Sequence, residues 1–168
     1  LTMWDALGYT GINFNIANGP AANTLTGQLA LVRQAFELAL DRQAISDVVF
    51  AGMLTPTAQA NIASSPFHVP SVQPPARDIA KAKALLAQAG ITGRVPVELT
   101  VTNAPEAQQA AEVIQSMVAE AGFDLKPKVM EFASSLAAGY KGEFQAYMIG
   151  WSGRADADGN MWALMHSR

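Results

Sequence analysis

A strand–helix–strand pattern between residues 97 and 130 constrains the fold of this chain more than any other feature. Apolar and polar residues alternate in the stretch VPVELTVTN, which predicts a half-buried strand. The residues on its apolar face are Val97, Leu99 and Val101. A helical apolar period then runs to Gly122, and a second alternating stretch covers residues 125–129. Two strands joined by such a helix form a parallel pair with a right-handed crossover, so the chain is predicted to be α/β.

The ends of these elements carry recognisable residues. Asp78 precedes an apolar helical stripe that Gly90 follows, which predicts a helix capped by Asp78 and stopped by the glycine. Asn103, with Glu106 three residues later, is a variant of the capping box and predicts the start of the crossover helix. Pro127 has no N–H to donate, so its strand is expected at an edge or a bulge.

Other stretches complete the α/β pattern. Residues 9–16 form an apolar, β-prone run that predicts a strand. Helical spacing predicts two helices, or one helix with a bend, at 27–40 and 42–50. A short helix is expected near 133–140, and the apolar stretch AYMIGW predicts a strand at 146–151. Together these elements predict one mixed β-sheet flanked by helices, forming a single lobe over residues 1–168.

Residues 52–76 interrupt this pattern. The segment contains five prolines and no clear period, which predicts a long irregular loop within the lobe. Its prolines are Pro56, Pro66, Pro70, Pro74 and Pro75. Long ordered loops are often functional, but a plain surface connection is equally compatible with the sequence.

Composition excludes several classes of function. The formal charge is −3 and the eleven basic residues are scattered, which argues against nucleic acid as a partner. The chain has no cysteine, so it has no disulfides and no thiolate metal sites. Neither His68 nor His166 lies in a metal-ligand spacing, and no metal site is predicted.

The stretch GWSGR at residues 150–154 invites comparison with the nucleophile elbow of hydrolases. That motif is G-x-S-x-G, whereas Gly153 here directly follows Ser152 and Arg154 occupies the second glycine position. A serine hydrolase that uses Ser152 with His166 is therefore kept only as an alternative. We predict that the chain is not an enzyme.

The longer stretch GWSGRADADGN, residues 150–160, is a stronger candidate for binding. An apolar strand leads directly into it, and ligands of α/β sheets collect beyond the carboxyl ends of strands. Trp151 offers a broad flat contact surface, and the planar fork of Arg154 fits a carboxylate or phosphate. A turn with solvated charges, built on Asp158 and Gly159, is the other reading of the same residues.

Five motifs in this order resemble one known family. They are GYTGINFN, VRQAFELALDRQAI, VFAGMLTPT, DIAKAKALLAQAG and GWSGRADADGN, and they span residues 8–160. The chain resembles the family 5 bacterial extracellular solute-binding proteins, which serve ABC importers for peptides, glutathione and nickel complexes. The resemblance implies one lobe, the C-terminal one, of a type II periplasmic-binding-protein fold. On this reading Leu1 begins where a longer chain has just crossed into the lobe, and a second lobe of the same protein is missing.

The resemblance also implies a function and a site. The function is the binding of a peptide or other small solute between two lobes, for delivery to an ABC transporter permease. The implied location is the periplasm, or the cell exterior as a membrane-associated lipoprotein. No cofactor and no catalytic residue is expected. The predicted ligand-binding residues are Trp151, Ser152, Arg154, Asp156 and Asn15.

One departure from the family concerns the ligand's charge. Peptide-binding members carry an Asp after the Gly-Trp pair that holds the ligand's amino end, whereas this chain has Arg154 there. A cation at this position suits an anionic group better than a free amine. A module that only docks to a permease is the remaining alternative function.

Overall fold

The computed structural model describes residues 6–154, 156, 158, 159 and 162. Four strands and six helices are assigned within these residues. The strands are β1 (Tyr9–Phe14), β2 (Val95–Thr102), β3 (Phe123–Met130) and β4 (Ala146–Trp151). The helices are α1 (Leu25–Gln28), α2 (Ala30–Leu38), α3 (Arg42–Phe50), α4 (Ile79–Gln88), α5 (Pro105–Ala121) and α6 (Phe132–Lys141). Among the described residues, no helix combines the length and apolar character needed to cross a bilayer.

The four strands form one mixed sheet in the order β1-β4-β2-β3. Strand β2 is parallel to both β3 and β4, whereas β1 is antiparallel to β4. Helix α5 makes the crossover between β2 and β3, and the register runs from Val95 opposite Phe123 to Thr102 opposite Met130. The predicted parallel strand–helix–strand unit and mixed sheet are therefore confirmed. Pro127 lies on the edge strand β3, as its missing N–H requires.

The main core lies on one face of this sheet, under helices α2, α4 and α5. Phe36 of α2 sits at its centre and meets Phe14 and Phe123 edge-on, with ring centroids 5.2 Å away in both cases. The alternate residues of β2 point into the same core and are all buried: Val95, Val97, Leu99 and Val101. All four strands and the helices α2, α4 and α5 thus share one apolar layer.

The opposite face of β2 is covered only at Thr100, so the prediction of a half-buried strand is confirmed apart from this residue. Thr100 is 1% exposed although it points away from the main core. It pairs with Tyr147 on β4, whose hydroxyl lies 2.7 Å from the hydroxyl of buried Ser135 on α6. Glu98 and Thr102 on the same face are partly exposed.

Helix starts are set by carboxylate caps. Asp41 accepts a hydrogen bond from the Ala44 N–H at 2.9 Å, and Asp78 accepts one from the Lys81 N–H at 2.8 Å, as predicted for Asp78. Glu131 caps α6 in the same way. Backbone N–H groups of the α6 first turn, Ala133 foremost, hold the pKa of Glu131 below its ordinary value.

Helix α5 begins differently from the prediction. Ala104 occupies the cap position without a side-chain hydrogen bond, and Pro105 starts the helix. The predicted capping box of Asn103 and Glu106 is therefore wrong. Proline at the first helical position has no N–H that needs a cap, and its ring fixes a helical φ. The backbone carbonyl of Asn103 instead accepts from the side chain of Gln108. At its far end α5 stops at Gly122, whose φ of 112° suits glycine, as predicted.

The helical region predicted at 27–40 is broken at Leu29, which adopts an extended conformation between α1 and α2. Arg33 explains the break. Its guanidinium donates to the carbonyls of Thr26 and Gly27 at 2.8 and 2.9 Å, so these oxygens are satisfied without continuous helical bonding. The second predicted helix, 42–50, matches α3.

Residues 52–76 contain no helix or strand, as predicted. The segment is nevertheless organised, since the Gln59 side chain donates to the carbonyls of Val69 and Val72 and accepts from the Val69 N–H. The Ser46 hydroxyl of α3 also bonds both backbone groups of Leu54. Polar side chains thus bond the backbone N–H and carbonyl groups that neighbouring strands would bond in a sheet. These bonds give the irregular segment a defined shape.

Phe36→Ala tests the proposed centre of the core. Truncating a buried phenylalanine that two other rings contact should lower the free energy of unfolding by about 3–5 kcal/mol. The matched control is Phe67→Ala, because Phe67 is 52% exposed and a surface change of this kind costs within about 0.5 kcal/mol. Urea unfolding followed by circular dichroism gives both values. Similar losses in the two variants would contradict this assignment of the core.

Candidate functional site

Trp151 lies at the carboxyl end of β4, on the face of the sheet away from the main core. Side chains alternate along the strand, and Ala146 and Met148 point into the core, so Trp151 points to the other side. Its ring is half-buried. The indole Nε1 is shielded from solvent and has no hydrogen-bond acceptor within the described part of the chain. Trp151 therefore presents a flat apolar surface at the carboxyl edge of the sheet.

Tyr9 stands directly opposite Trp151 in the antiparallel pair of β1 and β4. Burial raises the pKa of the Tyr9 phenol above its ordinary value. The phenol therefore stays protonated at neutral pH and keeps an O–H donor beside the tryptophan. Tyr9 was not among the predicted site residues, although its place at the start of the first predicted strand was visible in the sequence.

The chain turns sharply after Trp151, and Gly153 makes the turn possible. Its φ is 68°, and a Cβ at this position would collide with the backbone carbonyl of Leu7. Glycine thus lets residues 152–154 pack against the chain that leads into β1. The turn leaves Ser152 and Arg154 exposed.

Arg154 folds back towards Trp151. Its guanidinium carbon lies 6.0 Å from the centroid of the indole ring, at the outer limit of a cation–π contact. The next predicted site residue, Asp156, is exposed, and its carboxylate accepts from the Gly159 N–H at 2.8 Å. Asp156 therefore closes a local turn beside the cation. The structure brings together four of the five predicted residues: Trp151, Ser152, Arg154 and Asp156.

A small cavity of about 200 Å³ adjoins Arg154. It is lined by Arg154, Leu7 and residues 60–62 and 64–66 of the irregular segment. The sequence is compatible with a functional or a purely connecting role for residues 52–76, and the spacing of these residues does not identify the turn at 60–66. The turn reaches Arg154 only because folding brings these two distant parts of the sequence together.

Asn15, the fifth predicted residue, lies elsewhere. It follows β1 at the end of the sheet opposite Trp151 and is 3% exposed. Its amide nitrogen has the carbonyls of Asn18, Gly142 and Phe144 within 3.1 Å, and its oxygen accepts from the Asn18 N–H. The side chain thus fastens the loop after β1 to the turn before β4, and we leave it out of the site proposed below.

A larger recess of about 490 Å³ occupies that same distant edge. Its lining includes Leu25, Leu29 and Pro96, together with the side chains of polar but uncharged residues. None of its lining residues in the described part of the chain is charged, and it lies beyond the amino end of β2 rather than its carboxyl end. The Trp151 edge is the better candidate, since parallel sheets place ligands at carboxyl ends.

Comparison with known proteins identifies the family. Residues 5–168 match the model of the bacterial extracellular solute-binding proteins, family 5 Middle. The chain belongs to this family. Members are solute-binding proteins that serve ABC importers of peptides or similar solutes, and they are not enzymes.

Individual relatives agree with this assignment. A glutathione-binding protein of Salmonella choleraesuis (strain SC-B67) is 32% identical over 91% of this chain and 29% of its own length. A dipeptide-binding protein of Escherichia coli (strain K12) is 30% identical over 81% of this chain and 26% of its own length. The structure of HbpA2 from Haemophilus parasuis superposes with a TM-score of 0.81 at 29% identity, over 94% of this chain and 31% of that one. The chain therefore spans less than a third of the relatives it matches.

These comparisons bear on the alternative functions. The family is not enzymatic, in agreement with the prediction, and the α/β periplasmic-binding-protein fold is confirmed. The serine hydrolase alternative paired Ser152 with His166, and His166 lies outside the described residues. Within the described part of the chain, no three His, Asp or Glu side chains cluster as metal ligands do.

The half-buried position of Trp151 is open to a fluorescence test. With Trp4 and Trp162 replaced by Phe, emission from Trp151 should lie between those of a solvent-exposed and a core tryptophan, and iodide should quench it in part. The triple variant that also carries Trp151→Phe supplies the background. Strongly blue-shifted, quencher-resistant emission would place the ring in the core and contradict its role as a contact surface.

Proposed function

We propose that this chain is one lobe of the solute-binding component of an ABC-type importer, and that it binds a peptide or other small solute between two lobes. The observation that carries the proposal is the surface of Trp151, Ser152, Arg154 and Asp156 at the carboxyl edge of the sheet. This surface combines a flat ring, a hydroxyl and both signs of charge. Family membership, with coverage of under a third of each relative, supports a second lobe in the same protein.

The shape of the site fits half of a cleft. Arg154 and Ser152 are exposed, and Trp151 keeps part of its ring in solvent. A solute resting on this surface would be covered on one side, whereas good sites bury about 70–90% of a small ligand's surface. Closure of the second lobe would supply the other side and exclude water. The lobe by itself is therefore expected to bind weakly.

The proposed cycle involves no bond chemistry in this protein. The open protein captures its solute in the periplasm, or at the cell exterior as a membrane-associated lipoprotein, and closes over it. The closed form then meets the permease. The difference between the solute's affinities for the closed and the open form sets how far it shifts the equilibrium between them.

A thermal-shift screen of the full-length protein tests the proposal. Dipeptides, tripeptides and glutathione are supplied to protein that has been unfolded and refolded to strip bound solute. A true solute at a hundred times its Kd should add about 2.7 kcal/mol of stability and raise the melting temperature. Native mass spectrometry of unstripped protein gives an independent reading. Failure of the panel, together with the absence of any co-purified solute, would count against solute binding.

Arg154→Ala tests the polarity of the site. We expect Arg154 to contact an anionic part of the solute, and a charge-assisted hydrogen bond is worth about 1.5–3 kcal/mol. Loss of the guanidinium should therefore weaken binding roughly ten- to a hundredfold. Arg154→Lys should recover only part of the affinity, since an ammonium cannot form the planar fork.

The control for this experiment is Lys83→Ala, which removes one positive charge from the exposed face of α4. Calorimetry on the full-length protein gives the affinities. If Arg154 only pairs with a neighbouring carboxylate, it contributes about 0–1 kcal/mol to the shape of the loop. Unchanged affinity and melting temperature in Arg154→Ala would exclude the contact with the solute.

A further inference from the structure

The cavity beside Arg154 is too small for a whole solute. Its volume is about 200 Å³, whereas sites that enclose complete small ligands measure about 300–1,000 Å³. It lies next to the surface formed by Trp151, because Arg154 borders both. A solute resting on Trp151 could therefore place one side group into the cavity.

The polar side chains that line the cavity can all donate hydrogen bonds. The guanidinium of Arg154 carries donors and no acceptor. The Asn61 carboxamide and the Ser64 hydroxyl make no hydrogen bond within the described part of the chain, and both are available. The Ser65 hydroxyl accepts from the Phe67 N–H and keeps its own proton to donate. Within the described part of the chain, no acidic side chain lines the cavity.

Hydrogen bonds hold the backbone of the turn at residues 60–66 before any ligand binds. The Ser65 N–H donates to the Ile62 carbonyl at 2.9 Å, and the His68 N–H donates to the Ser65 carbonyl at 3.0 Å. The His68 ring nitrogen Nδ1 also lies 3.1 Å from the Asn61 carbonyl oxygen. These bonds fix the backbone of the turn, so a ligand would have only side chains left to order when it binds.

Apolar side chains complete the cavity and limit what it accepts. Leu7, Ala60 and Ile62 line the same space as the donors. A short aliphatic acid satisfies both parts, since its methylenes contact the apolar wall and its carboxylate accepts from Arg154 and the hydroxyls. We propose that Arg154 and the turn at residues 60–66 form a subsite for a carboxylate-bearing side group, so that the solute is acidic. This inference rests on the solute-binding function proposed above.

A glutamate scan of a tripeptide on the full-length protein tests the subsite. The probes are Ala-Ala-Ala and its derivatives with Glu, Gln or Lys at each position, which keep both termini constant. At one position Glu should bind at least about tenfold more tightly than Gln, the fold-change expected for one charge-assisted hydrogen bond. Lys at that position should bind more weakly than Gln, because it meets the charge of Arg154.

Variants of the turn separate the subsite from the rest of the site. Ser64→Ala and Asn61→Leu should each lower the Glu-to-Gln affinity ratio, because each removes a donor that bonds a carboxylate more strongly than a carboxamide. Ser71→Ala is the matched control, since Ser71 is exposed in the same irregular segment but does not line the cavity. Arg154→Glu should reverse the preference and favour Lys over Glu. Melting temperatures confirm that each variant is folded.

The outcomes distinguish this inference from the proposed function. If peptides bind but the Glu-to-Gln ratio is close to one at every position, the subsite is wrong and solute binding stands. If the ratio is high but Ser64→Ala and Asn61→Leu do not change it, the carboxylate lies elsewhere and the subsite is again wrong. If no peptide of the scan binds, the subsite is rejected, whereas co-purified solute still decides the proposed function.

Discussion

The rest of the structure depends on the central position of β2 in the sheet. One face of β2 joins the apolar layer under α2, α4 and α5, and Thr100 on its other face pairs with Tyr147. Strands β3 and β4 pair with β2 in parallel, one on each side. The parallel arrangement in turn brings the carboxyl ends of three strands to one edge, which is where Trp151 lies.

The side chains of β4 alternate between the main core and the face of the sheet that carries the candidate site. Ala146 and Met148 enter the core, whereas Trp151 points to the other side at the point where the strand ends. Gly153 then allows the chain to turn within contact of Leu7. The exposed guanidinium of Arg154 and the half-buried ring of Trp151 thus lie at the end of β4, and the core fixes the position of this strand.

Periodic features were predictable from the sequence, and features made by distant contacts were not. The strands β2, β3 and β4 and the helix α5 follow from apolar periods that one segment contains by itself. The break at Leu29 depends on where the Arg33 side chain reaches, and Asn15 is committed to carbonyls more than 120 residues away. The start of α5 was mispredicted because Pro105 begins the helix without a capping side chain. The sequence showed both this proline and the capping-box residues Asn103 and Glu106. For the candidate site, the loop after β4 was predictable, whereas the turn at residues 60–66 was not.

The core and the candidate site are held by different sets of contacts. The residues that hold the sheet together, with Phe36 at their centre, lie on the face away from the candidate site. Asn61 and Ser64 belong to a segment that is shaped by hydrogen bonds of Gln59 and Ser65 instead of by the main core. Substitutions at exposed positions of such a segment cost little stability, whereas core truncations cost several kcal/mol. If the turn carries solute selectivity, as proposed above, that selectivity can vary while β4 continues to present the same tryptophan.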